Sequence, residues 1–499
     1  MSSTKKNLFY NIWYQLLILL QPLLLSPYIS RVLGADGLGT YSYSYSIASY
    51  FVIFAMLGLN NYGNRSIAIA RDDQEKLNKT FWSIYGLQLI VAAFILIIYI
   101  VYIIFIVEKN RIFFILQIFL VLSSLIDINW FFFGIEKFKI TIVRNTVIKL
   151  GTMVLVFLLV NEQSDGWKYT LIMSLGTLMS QILLWPFVRK YVSFYKPKLS
   201  EITIHLWPNI ILFVPVIAIS IYSQMDKVML GSTRSMTEVG IYTNAERIIS
   251  VPTSIISAFS TVMLPKMSNL IAKGEMKASK IYIKKSFKIT LFLSSALSFG
   301  LAAVAPEFAP IFFGKEFVMS GVIIVFMSPI IVAKTWASVI RTQYLIPTKK
   351  DSVYIKSVFY GAVTNLIGNI ILIRVYGVIG AAIGTLLAEL LVAIYQTYRV
   401  KKDLPILDYI KNTYFFVLFG VIMFLVVRFV SSFYTPDFYF KLLTLQVIIG
   451  VGVYTMLCLI YFKRKDPQKL KYIMLFFQQI KSLINLMFKK LRKKISTSL

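Results

Sequence analysis

Ten ionisable side chains interrupt long apolar stretches of this sequence: Arg65, Asp127, Lys149, Asp226, Lys227, Glu246, Arg247, Lys334, Arg341 and Glu389. A charged side chain at the centre of a bilayer costs about 2.5–3.5 kcal/mol on insertion scales, so each of these must find a partner or line a wet cavity. Bases dominate the set. Lys149, Lys227, Arg247, Lys334 and Arg341 point to an anionic cargo, and arginine suits one because its planar fork donates two hydrogen bonds at once. Asp127, Asp226, Glu246 and Glu389 are the candidate cavity acids. Asp226–Lys227 and Glu246–Arg247 are neighbours in sequence and read as half self-neutralised, whereas Lys149 and Lys334 have no adjacent acid. Arg65 and Arg341 fall nearer the inner mouth. The competing reading for any one of them is a snorkelling side chain or an ion pair that only holds a bundle together. One cysteine, Cys458, and one histidine, His205, leave no intramolecular disulfide and no Cys or His metal cluster, so metal catalysis is not expected.

The elements that must position these groups follow from composition. The chain has 499 residues, 58% hydrophobic and 15% charged, with a mean hydropathy of +0.73. An ordinary soluble domain is about a quarter charged, so lipid must be the solvent here. A helix needs about 20 residues to cross the hydrocarbon. The apolar runs are 8–30, 40–62, 80–106, 112–134, 142–160, 168–188, 209–231, 239–264, 289–312, 318–341, 355–373, 377–398, 413–432 and 440–462. They predict an all-α polytopic membrane protein of about fourteen spans. The first run lacks a cleavage site and reads as a membrane helix rather than a removed signal.

Taking the N-terminus as cytoplasmic places about 38 Lys and Arg in inner segments and about 8 in outer ones. Both termini are therefore expected inside. The formal charge of +30 is then mostly topological, facing anionic headgroups, and nucleic acid is not expected as a partner.

Two sequence echoes recur six spans apart. Val32-Leu33-Gly34 followed by Gly39-Thr40-Tyr41-Ser42 matches Met229-Leu230-Gly231 followed by Gly240-Ile241-Tyr242-Thr243. Phe133-Gly134-Ile135-Glu136-Lys137 matches Tyr344-Leu345-Ile346-Pro347-Thr348-Lys349. An even offset preserves direction across the membrane, which predicts two parallel six-helix lobes. The expected division is 1–198, 199–402, two further helices in 403–465 and a tail at 466–499. Apolar residues of the tail recur every three or four positions among lysines, predicting an amphipathic helix on the inner leaflet. Residues 266–288, with seven lysines, read as a surface-lying connector between the lobes.

Four motifs carry a resemblance. They are Ser30-Arg31-Val32-Leu33-Gly34-Ala35-Asp36-Gly37-Leu38-Gly39-Thr40-Tyr41, then Asn61-Tyr62-Gly63-Asn64-Arg65-Ser66-Ile67-Ala68, Asn129-Trp130-Phe131-Phe132-Phe133-Gly134-Ile135-Glu136-Lys137-Phe138, and Gln224-Met225-Asp226-Lys227-Val228-Met229-Leu230-Gly231. In order and placement they resemble the polysaccharide transporter (Wzx-type flippase) family of the multidrug/oligosaccharidyl-lipid/polysaccharide exporter superfamily. That resemblance implies translocation of undecaprenyl-pyrophosphate-linked oligosaccharide repeat units across the bacterial plasma membrane, for capsule, exopolysaccharide or O-antigen synthesis. It implies no catalytic role and no cofactor. An inward proton (H+) or sodium (Na+) gradient, coupled through Asp127, Asp226 or Glu389, would supply the energy. Membrane lipids, a polysaccharide polymerase and glycosyltransferases are the implied partners. Two other readings compete: a drug/cation antiporter of the same superfamily, in which acids would dominate the cavity, and a polytopic polymerase or glycosyltransferase, which would need a larger outer loop than any here.

Overall fold

The computed structural model describes the backbone of residues 3–434 and 439–465, and most side chains from residue 21 onward. The tail 466–499 lies outside the described residues. Among these there is no β-strand. Ten helices are long and apolar enough to cross a membrane, or eleven if the pair Lys315–Met327 and Pro329–Leu345, bent by 41°, forms one span. Phe94, Phe105, Leu158 and Ile448 stand exposed on the outside of the bundle, as lipid-facing residues should.

Three departures from uninterrupted spans shape the interior. The first two apolar runs form one helical stretch, Ser3–Met56, that turns sharply at Gly34 (φ 67°, ψ −177°). Only glycine adopts that backbone readily, and any Cβ there would lie 2.8 Å from Glu316 Oε2. The run 112–134, expected as a single span, is instead broken into Arg111–Leu116, Ile118–Ser123 and Asn129–Gly134. Non-helical backbone is tolerated at such depth only where its polar groups are satisfied internally. Here Gln88 Nε2 donates to the carbonyls of Ser124 (2.7 Å) and Asp127 (2.9 Å), and Trp185 Nε1 donates to that of Ile126 (3.0 Å). Trp130 Nε1 in turn donates to Gln88 Oε1 at 2.9 Å. Third, the lysine-rich stretch 266–288 is no surface connector. Met236–Ala272 and Met276–Phe313 each run on as helices of 37 and 38 residues and meet at a tight turn where Gly274 has φ 75°. Lysine is a good helix former, so the lysines extend the two spans rather than end them.

The segments that echo one another in sequence meet in space. A Cβ on Gly39 would lie 1.7 Å from the carbonyl oxygen of Met236, and one on Gly240 would lie 2.0 Å from that of Ala35. The backbones of Ser3–Met56 and Met236–Ala272 thus cross with no side chain between them. The second echo repeats a cap. Glu136 (φ 58°) and Lys349 (φ 56°) are both left-handed. In each case the amide one residue further on reaches back five residues, Lys137 to Phe132 (2.9 Å) and Lys350 to Leu345 (2.8 Å).

Candidate functional site

The broken run places its polar residues around a cavity of about 740 Å³ in the N-terminal half. Asp127 Oδ1 accepts from the backbone amide (2.9 Å) and side-chain amide (2.7 Å) of Asn129. Arg144, only 6% exposed, is the hub. Its Nη1 donates to Ser180 O (2.7 Å) and Gln181 Oε1 (3.0 Å), and its Nη2 donates to Asn129 Oδ1 (2.8 Å). Lys149 lines the same cavity, and Gln21 Nε2 donates to the Lys149 carbonyl at 3.4 Å.

Across the crossing, Leu206–Thr233 and Met236–Ala272 carry a second group. Asp226, 3% exposed, accepts at Oδ2 from the Tyr242 hydroxyl and from Thr385 Oγ1 (2.7 Å). Its Oδ1 accepts from Asn369 Nδ2 (2.5 Å) and Asn365 Nδ2 (3.1 Å). All four partners are neutral, and Asn369 Oδ1 is buried without a hydrogen-bond partner. Lys227 does not pair with its sequence neighbour but reaches Glu246 Oε2 on the next helix at 2.9 Å. Adjacent helical residues diverge by about 100°, so Asp226 and Lys227 face different neighbours. Arg247 likewise turns from Glu246 and donates to Ser26 Oγ in the first helix at 3.1 Å, in a cavity of about 210 Å³ that also holds Ser250 and Ser254.

Lys334 pairs with Glu389 at 3.0 Å. Both line a third cavity of about 250 Å³ with Arg341, Gln396 and Tyr354. The Arg341 guanidinium lies 5.4 Å from the Tyr354 ring centroid and begins a π-helical turn, Arg341–Leu345. Such turns inside helices recur at functional sites. Among the described residues no carboxylate pairs with Arg247 or Arg341. Arg65 is exposed.

The structure therefore brings Asp127 and Lys149 to one cavity and Lys334, Glu389 and Arg341 to another; Asp226 and the Lys227–Glu246 pair lie within the C-terminal half, and Arg247 reaches across to the first helix. Arg144, Asn129 and Gln181 were missed as site residues. Arg144 stands at the start of the apolar run 142–160, where a base reads as a boundary charge, and its neighbour Asn145 is a signal that the run begins polar. A fourth cavity of about 1200 Å³, bounded by Phe299, Trp336, Ile394 and Val417, is mainly apolar, with Lys401 and Lys402 on its rim.

The helices define a multi-pass membrane protein. The family model described as polysaccharide biosynthesis protein matches residues 4–271, and the chain belongs to that family. The four motifs that resemble the Wzx-type flippase family all lie within the matched residues. A protein named an O-antigen transporter in Escherichia coli (strain K12) is 24% identical over 405 residues, covering 80% of this chain and 97% of that protein. The fold is similar to that of the lipid II flippase MurJ in its inward closed conformation, with a TM-score of 0.73 at 17% identity over 92% of this chain and 99% of that one. It is also similar to an inward-facing multidrug resistance MATE family transporter, with a TM-score of 0.60 at 14% identity over 82% and 95%. Relatives and neighbours alike are transporters and flippases rather than enzymes.

Proposed function

We propose that this chain flips undecaprenyl-pyrophosphate-linked oligosaccharide repeat units from the inner to the outer leaflet by alternating access, for capsule, exopolysaccharide or O-antigen synthesis. In this reading 1–198 and 199–402 are two six-helix lobes, 403–465 adds two helices, and both termini face the cytoplasm. The observation that carries it is Arg247. It sits where the halves meet, among serine hydroxyls and beside Tyr169, with no carboxylate paired to it among the described residues, and so can grip a diphosphate bidentately. Arg341 and Lys149 extend the cationic path toward the inner side, where Arg65 meets incoming cargo. Lys227 and Lys334 are held by Glu246 and Glu389 until an anionic headgroup competes for them. The apolar groove at Trp336 and Ile394 suits a polyprenyl chain, whose burial contributes about 0.8 kcal/mol per CH₂. The dominance of bases over acids argues against a cationic drug as cargo.

Asp226 is the coupling site. A buried carboxylate with only neutral partners needs a proton or a mobile cation to offset its charge, and the unpartnered Asn369 Oδ1 offers such a cation a second oxygen ligand. The test is complementation of a strain lacking its own flippase. Arg247→Ala should abolish polymer output at normal membrane levels, with lipid-linked units retained in the inner leaflet. Single units accumulating in the outer leaflet would instead indicate a polymerase.

A further inference from the structure

Of the four cavities, the one around Arg144 differs in the chemistry of its walls. Its lining is rich in primary amides, from Gln21, Asn60, Asn64, Asn129, Asn145 and Gln181, joined by hydroxyls of Thr141, Thr177 and Ser180. Each amide presents both donors and an acceptor, which matches a ligand whose every hydroxyl is both. Two bases share this wall with the amides, and of these Lys149 belongs to the cationic path described above. Arg144 donates to Ser180, Gln181 and Asn129, so its guanidinium holds the amides of the wall in place. The aromatic motif that follows Asn129 divides in the same sense. Trp130, Phe131 and Phe132 are fully buried, while Phe133 is 37% exposed and lines the cavity. Its ring stacks with that of Phe138 at 5.9 Å, giving a flat apolar platform beside the amides. A sugar ring has that dual character, with hydroxyls at its edge and C–H groups on its faces. At about 740 Å³ the cavity falls within the 300–1,000 Å³ range of small-molecule sites.

We propose that this cavity is a carbohydrate subsite, holding the sugar residues of the cargo apart from the diphosphate at Arg247, with Phe133 and Asn64 among its specificity-determining groups. The proposal rests on the flippase reading above and adds where the sugar is recognised. Breaking the helix at 124–128 serves it directly, because a continuous helix would not present Asp127, Asn129 and Phe133 together at one wall.

The test uses the full chain in lipid nanodiscs and reads tryptophan fluorescence on titration with two probes. One is the lipid-linked oligosaccharide fraction extracted from cells that make the polymer, and the other is undecaprenyl diphosphate without sugar. The wild type should bind the sugar-bearing lipid about tenfold more tightly than the bare one, a preference worth one decade in Kd. Phe133→Ala and Asn64→Ala should each bring that ratio toward one with little change for the bare lipid, and Phe133→Tyr should restore it. Arg247→Ala should weaken both probes together. A preference that persists in both Phe133→Ala and Asn64→Ala, or one that is missing from the wild type, overturns the carbohydrate subsite. If the wild type binds neither probe, the flippase reading itself falls.

Discussion

Asp127 and Asp226 are the same residue type set in opposite halves of one apolar bundle, and their surroundings differ in kind. Asp127 closes a local turn through both amides of Asn129 and shares a cavity with Arg144 and Lys149. Asp226 is caged by two hydroxyls and two asparagine amides from three other helices, with no cation among its contacts. The first arrangement fixes an amide-lined wall. The second meets the carboxyl with neutral donors only, and Lys334 acts on it from farther off. In the proposed reading Asp226, whose hydrogen-bond partners are neutral, is the coupling acid, and Asp127, beside Arg144, belongs to the scaffold.

The largest effect should come from Asp226→Asn. Transport into proteoliposomes should fall on the order of a hundredfold, the rate equivalent of about 3 kcal/mol, and lose its dependence on an imposed proton or sodium gradient. Asp127→Asn keeps an acceptor for the Asn129 amide, so transport should fall within about fivefold and remain gradient-dependent. Equal losses in the two variants would erase the distinction between the halves.

A second contrast lies within the C-terminal half, between Asp226 and the acid that does have a cation. Glu389 is 7% exposed at its side chain and pairs with a Lys334 that is 43% exposed. Lys334→Met takes the lysine away from the buried Glu389 carboxylate and should cost about 1–3 kcal/mol in thermal unfolding, while adding Glu389→Gln should restore stability. Transport should stay impaired in the double variant, because the cargo needs the lysine. Recovery of both stability and transport would reduce the pair to a brace.

The smallest effect concerns a pair at the periphery. Glu201 accepts from Lys79 (2.7 Å) and from the Lys198 amide (2.9 Å), and these hold its carboxyl at about 2, below the usual 4.5. A carboxyl depressed in the folded state stabilises the fold above its unfolded value, and that contribution fades as pH falls from 4.5 toward 2. Melting of detergent-solubilised protein should drop slightly between pH 5 and pH 3, and Glu201→Gln should flatten that part of the profile (pH values about these).

Much of the scaffold could be read from the chain, because a span needs a long apolar run and leaves one in plain view. The break at 124–128 could not, since the few polar residues of 112–134, Asp127 among them, do not by themselves end a span and the groups that satisfy its freed carbonyls, Gln88 and Trp185, lie far away in sequence. The lysines of 266–288 misled in the opposite direction, because charge marks the membrane boundary but does not end a helix. At the candidate site, the charged residue types were legible in the sequence, while their pairings did not follow adjacency. Lys227 finds Glu246 and Lys334 finds Glu389 through helix packing, and a single sequence carries no direct signal of which faces meet.

The most direct measurement reconstitutes the full chain with the extracted lipid-linked oligosaccharide and follows access of a membrane-impermeant sugar oxidant to the opposite leaflet. Wild-type protein should accelerate that access well beyond protein-free vesicles, and Arg247→Ala should reduce it to the protein-free rate. Flipping by Arg247→Ala at the wild-type rate, or none by the wild type, would contradict a cationic passage between the two halves.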